Sequence, residues 1–384
     1  MTTAVPAQEP EKPPSIVRPQ HPWRVAVLAN VKGDDAVLPE GVAADTLADY
    51  DHIETIQAIQ AAIETDGHST VFIPADRNLP YALKEIQPDV CFNIAEGLGG
   101  DAREAQTPAL LEMLGIPYTH SRVMANAIAL DKTLTKRLWR DRRLPVSPFQ
   151  EFIVGDESLR PELHFPLFVK PAREGTGMGV DLKAIVHNEA ELRERVQYIV
   201  QVYRQPALVE TFLSGREFTC GLLGRWDAVR YSRHPEWYTE KHGYHVFPVL
   251  ELDSARSVTP GVYSQQSKSI SVGGEGAPGY ICPADISPEL TRKIQSLIVK
   301  AHMVIKAVDI SRTDIRLNNE GEPVLIEINP LPGLTAGYSD LCLEAEAEGI
   351  SYEDLILEIL YLGASRSGLL QGREMPDKPK KARK

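Results

Sequence analysis

Several absences narrow this 384-residue sequence before any motif is read. Cysteine is scarce: Cys91, Cys220, Cys282 and Cys342 stand far apart, in no metal-ligand spacing. They are expected to be reduced thiols in a cytoplasmic protein, not a disulfide framework. No apolar run approaches the ~20 residues of a membrane span, so no membrane partner is expected. The first 22 residues lack the apolar centre of a secretory signal. Basic charge is in deficit, with 41 Lys and Arg against 53 Asp and Glu and a net charge of −12. That balance argues against a nucleic-acid partner. The remainder is 43% hydrophobic and 24% charged, long enough for two or three globular domains.

The chain divides by pattern. Residues 1–22, rich in Pro, Glu and Gln, read as a disordered leader, and 366–384, ending Lys-Pro-Lys-Lys-Ala-Arg-Lys, as a disordered basic tail. Between 23 and 120, strands at 23–30, 69–74 and 89–94 alternate with helices at 54–65, 81–86 and 105–114. The first helix carries its apolar residues at Ile56, Ile59, Ala62 and Ile63. Alternation with short loops predicts a parallel, doubly wound α/β sheet. A unit at 121–213 has helices over 131–143 and 188–203 with strands near 149, 168 and 207. A third, 214–365, has a strand at 218–223, a helix at 288–307, a closing hairpin and a helix at 352–362. Residues 240–280 show little periodicity, and an irregular stretch of that length is expected to be a functional lid.

The hairpin carries the densest chemistry. Asp314 leads one alternating run, Asn319-Glu320-Gly321 makes a turn, and Val324–Ile328 is a buried strand ending at Asn329. Glu327 and Asn329 stand two apart, so their side chains leave the same face. Gathered with Asp314 they offer hard oxygen ligands suited to Mg²⁺, with Mn²⁺ as a substitute. A hairpin with merely polar ends is the other reading of that segment.

A second cluster surrounds Lys170-Pro-Ala-Arg-Glu-Gly175-Thr176-Gly177-Met-Gly179. Glycine permits close backbone approach, and amides there can cradle phosphate beside the lysine. The order fits neither a Walker loop nor a dinucleotide fingerprint. Lys132 and Lys136 share one helix face. Glu210 ends a strand, and Glu217 stands just before the next.

Taken together, from about Pro88 to Glu348, these segments resemble the D-alanine–D-alanine ligase branch of the ATP-grasp superfamily. The matching text is Phe92-Asn-Ile-Ala-Glu-Gly, Leu110-Leu-Glu-Met-Leu-Gly-Ile-Pro-Tyr-Thr, Asp131-Lys132, the Lys170 loop, Glu210 with Glu217, Arg312-x-Asp314 and Glu327-x-Asn329-x-x-Pro-Gly333. The resemblance implies an ATP-grasp fold, in which two α+β subdomains after the parallel-sheet domain clamp ATP. It assigns Lys132 and Lys170 to the ATP phosphates, Glu210 and Leu213 to the adenine, and Glu217 to the ribose; Thr176, the hydroxyl of the glycine-rich loop, is a further ATP-binding candidate. It makes Asp314, Glu327 and Asn329 the Mg²⁺ ligands. Arg312 and the Gly333 amide become oxyanion donors, and Lys268 the lid lysine.

The substrate side departs from that family's pattern. Its His-Gly after the third strand is Glu96-Gly97 here, and Ser269 replaces the tyrosine after Lys268. Glu54 is the one stand-in for the glutamate that binds the first amino group; an acid favoured by the helix dipole is the competing reading. Tyr338-Ser339 falls where a serine would hold the second carboxylate. Glu96 is expected to favour an amino group or other cation. The implied activity is an ATP-dependent carboxylate–amine ligase forming a peptide bond through an acylphosphate, with small amino acid or amine substrates. One alternative keeps this chemistry with other substrates; another is a nucleotide-binding protein without turnover. A homodimer is implied by family resemblance.

Overall fold

The computed structural model describes residues 17–32, 43, 45–239, 243–255 and 257–372. Most of the expected leader and tail lies outside them. Residues 366–372, expected in that tail, pack on the body instead: Arg366 pairs with Asp309 at 2.8 Å and Leu370 is buried.

The first sheet has three parallel strands, with β1 (Arg24–Ala29) between β2 (Ser69–Pro74) and β3 (Val90–Asn93). The period of two sorts β1 between two cores. Val25, Val27 and Ala29 meet Ile56, Ile59, Ala62 and Ile63 of α1 (Ile53–Glu64). Ala26 and Leu28 meet Leu79 and Leu83 of α2 (Leu79–Ile86) and Leu111 of α3 (Gln106–Leu114). Both faces are covered, as a parallel sheet requires. Each large aliphatic side chain buried this way contributes about 1.5–3 kcal/mol.

Next come α4 (Val123–Leu130) and α5 (Lys132–Asp141). Asp131 caps α5, its Oδ1 accepting from the Leu134 amide at 2.8 Å. An antiparallel sheet of order β4-β7-β5-β6 follows, made of β4 (Phe149–Phe152), β5 (Leu167–Pro171), β6 (Ile185–Val186) and β7 (Ala207–Thr211). Leu192, Val196 and Ile199 of α6 (Glu189–Val202) cover one face of it.

The largest sheet is also antiparallel, in the order β11-β10-β8-β12-β13, with β9 paired to β8. Its members are β8 (Glu217–Gly224), β9 (Tyr244–Val246), β10 (Leu250–Asp253), β11 (Gly279–Ile281), β12 (Ile310–Leu317) and β13 (Pro323–Asn329). A one-turn helix, α7 (Gln265–Lys268), interrupts the expected lid, and α8 (Pro288–Val304) packs Ile294, Leu297, Ile298 and Ala301 against Phe218, Leu222 and Ile315. After α9 (Asp340–Ala347) the last helix, α10 (Tyr352–Ser365), returns to the first sheet and joins the core of α1. Gly363 permits that return, because a Cβ there would sit 2.6 Å from the Thr119 Cα.

Candidate active site

The three sheets converge on the β12–β13 hairpin. Asp314 lies opposite Glu327 and Arg312 opposite Asn329, and a register shift follows Asp314. Thr219 on β8 donates to Asp314 Oδ1 at 2.7 Å. Arg312 spans two acids, with Nε 3.2 Å from Asp314 Oδ1 and Nη1 3.1 Å from Asp340 Oδ2. Glu327 Oε2 lies 3.5 Å from Lys132 Nζ and 3.8 Å from Lys170 Nζ. Burial opposes its ionisation, but Lys132, Lys170, Lys268 and Arg312 hold its pKa well below the usual carboxylate range. Asn329 Oδ1 accepts from the Leu331 amide at 2.8 Å. Among the described residues no cluster of three His, Cys, Asp or Glu has metal-holding geometry. The hairpin set is instead two carboxylates and a carboxamide, all oxygen, and the ionised Glu327 suits a hard divalent cation.

A narrow cleft leads away from Lys170 at the end of β5. Glu210, one strand over on β7, accepts from Ser147 at 2.8 Å and pairs with Lys136 at 2.9 Å and Lys170 at 3.2 Å. Burial would raise the Glu210 pKa, yet the two lysines hold it down at about 2. Burial likewise works against charge on Lys170, but Glu210 and Glu327 prevail and raise its pKa. Lys136 was not expected among the site residues; the helical spacing with Lys132 was the available signal. Lys132 serves Glu327 and Lys136 serves Glu210, so both lysines of that face point inward. Phe168, Met178, Val180, Phe212, Leu213 and Val262 form apolar walls beyond Lys170. Glu217, at the rim, has a buried Oε2 with no hydrogen-bond partner, 3.5 Å from Arg316 Nη1.

The glycine-rich loop fits against the lid. Gly177 adopts φ +70°, and a Cβ on it would lie 2.8 Å from the Gln265 amide nitrogen at the start of α7. Thr176 is left-handed at φ +46° without being glycine, a conformation that carries local strain. Lys268, at the end of α7, places Nζ 4.3 Å from the centre of the Tyr263 ring. Tyr338 donates to the Lys268 carbonyl, tying the lid to the loop after β13.

Past Glu327 the cleft opens into a cavity of about 510 Å³. Lys132, Glu174, Gly175, Tyr263, Lys268 and Glu327 line both spaces, which places them side by side. Arg312, Asn329, Gly333, Tyr338, Ser339, Thr176 and Glu96 line the cavity. Ser339 Oγ accepts from the Thr335 amide at 2.9 Å, and a Cβ on Gly333 would meet it at 2.9 Å. Burial first, then Asp49 and Glu104, push the Glu96 pKa well up. Glu54 does not reach this cavity. As the second residue of α1 it points to solvent, while the next residue, Thr55, turns inward to a 2.9 Å bond with Thr335. The carboxylates that do line this end are Asp49 and Asp51, in the loop before α1, and Glu104 before α3; these the sequence reading missed.

Comparison with known proteins agrees with this architecture. The family model described as the D-ala D-ala ligase C-terminus matches residues 138–361. The D-alanine–D-alanine ligase B of Chromobacterium violaceum is 33% identical over 297 residues, covering 77% of this chain and 86% of that protein. An uncharacterised protein, y4sG, of Sinorhizobium fredii is 32% identical over 311 residues, covering 79% and 85%. The crystal structure of the Bacillus anthracis D-alanine–D-alanine ligase complexed with ATP superposes with a TM-score of 0.67 at 20% identity, covering 90% of this chain and 99% of that one. By its family model and these relatives, the chain belongs to the D-alanine–D-alanine ligase family.

Proposed function

We propose that this chain is an ATP-dependent carboxylate–amine ligase that forms an amide bond through an acylphosphate. The observation that carries this reading is the junction at Glu327. There an apolar slot lined by lysines adjoins a second cavity lined by Arg312 and Gly333. ATP would lie with adenine between the apolar walls near Leu213, its ribose at the Glu217 oxygen that has no hydrogen-bond partner, and its phosphates toward Lys132, Lys170 and the Thr176 loop. Asp314, Glu327 and Asn329 would hold Mg²⁺ (or Mn²⁺), which when bound neutralises phosphate charge.

The first substrate's carboxylate oxygen attacks the γ-phosphorus, ADP leaves, and an acylphosphate forms. An amine, having lost a proton, then attacks the carbonyl carbon; the Arg312 guanidinium and Gly333 amide face the developing oxyanion, and phosphate leaves. Lys268 and Tyr263 close over the junction and exclude water, which would otherwise hydrolyse the acylphosphate. Tyr338 and Ser339 border the second substrate, and Glu96 the first. A cytoplasmic setting fits the free cysteines and the demand for ATP. Among the described residues no helix is long and apolar enough to cross a membrane. The homodimer is part of the proposal, and sedimentation velocity tests it.

The test is ADP release with ATP, Mg²⁺ and a panel of D- and L-amino acids, singly and in pairs, with mass spectrometry of the products. ADP release coupled to a dipeptide or other amide supports the ligase. ATP binding without turnover on any pair overturns it in favour of a nucleotide-binding protein.

A further inference from the structure

The substrate end of the larger cavity gathers more carboxylates than a neutral amino acid calls for. Four carboxylates line one wall: Asp49 and Asp51 from the loop before α1, Glu96 after β3, and Glu104 before α3. Hydrogen bonds hold the loop: the Asp51 amide donates to the Asn30 carbonyl at the end of β1, and the Lys32 amide to the Asp51 carbonyl, both at 2.9 Å. The Asp49 side chain is 4% exposed; its Oδ2 takes Arg103 Nη2 at 2.7 Å, while its buried Oδ1 has no hydrogen-bond partner.

Counter-charge on this wall is short. Arg103 directs its ion pairs to Asp49 and, at 3.2 Å, Glu174. Lys32 lies beside Asp51, and Lys132 acts on Glu104 but directs its ion pair to Glu327. Among the described residues Asp51, Glu96 and Glu104 make no ion pair with a lysine or arginine. Burial first, opposed by Lys32 at Asp51 and by Arg103 at Glu104 and reinforced by Asp49 at both, lifts the pKa of Asp51 and of Glu104 to about 7. Carboxylates this close and this dry stay ionised together only when cations join them. An α-ammonium supplies one such charge and leaves the wall still in excess.

Building on the ligase reading above, we propose that the amino acid whose carboxylate is phosphorylated bears a second cationic group on its side chain, a diamino or guanidino acid, received by Asp49, Asp51, Glu96 and Glu104. Alanine offers this wall one charge; ornithine, lysine or arginine of either hand offers two. Two dry carboxylates facing one added ammonium form charge-assisted hydrogen bonds that a neutral isostere cannot replace.

The experiment is steady-state ADP release by the full chain with ATP and Mg²⁺, with hydroxylamine as the acceptor amine so that only the acid varies. Ornithine is compared with norvaline, and lysine with norleucine, in both enantiomers. The diamino acid should exceed its neutral isostere at least tenfold in kcat/KM. Glu96→Gln and Glu104→Gln should each reduce that ratio about tenfold, and Glu104→Asp should restore most of it. The use of two near-isosteric variants guards against one that fails to fold. Equal or better turnover of norvaline and norleucine, or an unchanged ratio in both glutamine variants, overturns the inference and leaves the ligase standing. No ADP release with any acid overturns both.

Discussion

Replacing Glu104 by glutamine should stabilise the empty protein, and more at pH 8 than at pH 5. Glu104 is buried and belongs to the acidic wall, where burial first, opposed by Arg103 and reinforced by Asp49, lifts its pKa from 4.5 to about 7. The folded state therefore holds this proton more tightly than the unfolded state. Stability from that proton is fully present below about pH 4.5 and is lost as pH rises through about 7. At about 1.4 kcal/mol per pH unit, the gap sets a ceiling of roughly 3 kcal/mol. Glu96 interacts with Glu104 and titrates with it, so the glutamine variant should recover about 1–3 kcal/mol at pH 8. Urea unfolding of both proteins at pH 5, 6, 7 and 8, without substrate, reads it directly. The two stability curves should converge at pH 5 and separate toward pH 8. Parallel curves, or a variant less stable at pH 8, would refute the account of this wall.

Three further outcomes follow from the same geometry. Glu210→Ala strands Lys136 and Lys170 in the interior, and denaturant unfolding should show a loss of about 3–5 kcal/mol. Gly221→Ala would place a Cβ 2.2 Å from Leu341 Cδ1 and 2.6 Å from Glu344 Oε2, an overpacking that should lower stability by about 1–3 kcal/mol. Asp314→Asn removes one hairpin carboxylate and should raise the Mg²⁺ concentration for half-maximal ADP release about tenfold or more, measured by titrating Mg²⁺ at saturating ATP.

Much of this was legible in the chain because the signals were local. The apolar spacing of Ile56, Ile59, Ala62 and Ile63 marks α1, and the two-residue offset of Glu327 and Asn329 marks a strand facing one way. The turn at Gly321 pairs the two strands, but Asp314 faces Glu327 only through the register shift after Asp314, which no local signal announces. What escaped was what depends on distant packing. Helix α4 is apolar on nearly every side (Val-Met-Ala-Asn-Ala-Ile-Ala-Leu), so no stripe announces it. The return of α10 to α1 joins residues some 300 positions apart, which no periodicity encodes. Glu54 looked like the substrate-side acid because it stood near the expected position, but one step of helical phase sent Thr55 inward instead. Asp49, Asp51 and Glu104 sit in loops and turns, where a carboxylate is ordinary until the fold shows it facing a cavity. Lys136 shares a helix face with Lys132 in the sequence, but its partner Glu210 is brought to it only by the fold.

The central claim is that the substrate carboxylate is phosphorylated before the amine attacks. An accepted amino acid labelled with ¹⁸O in its carboxylate, turned over with ATP, Mg²⁺ and an amine, tests it most directly. The account predicts ADP as the nucleotide product and one ¹⁸O in each inorganic phosphate released. AMP carrying the label, or phosphate without it, would contradict the account.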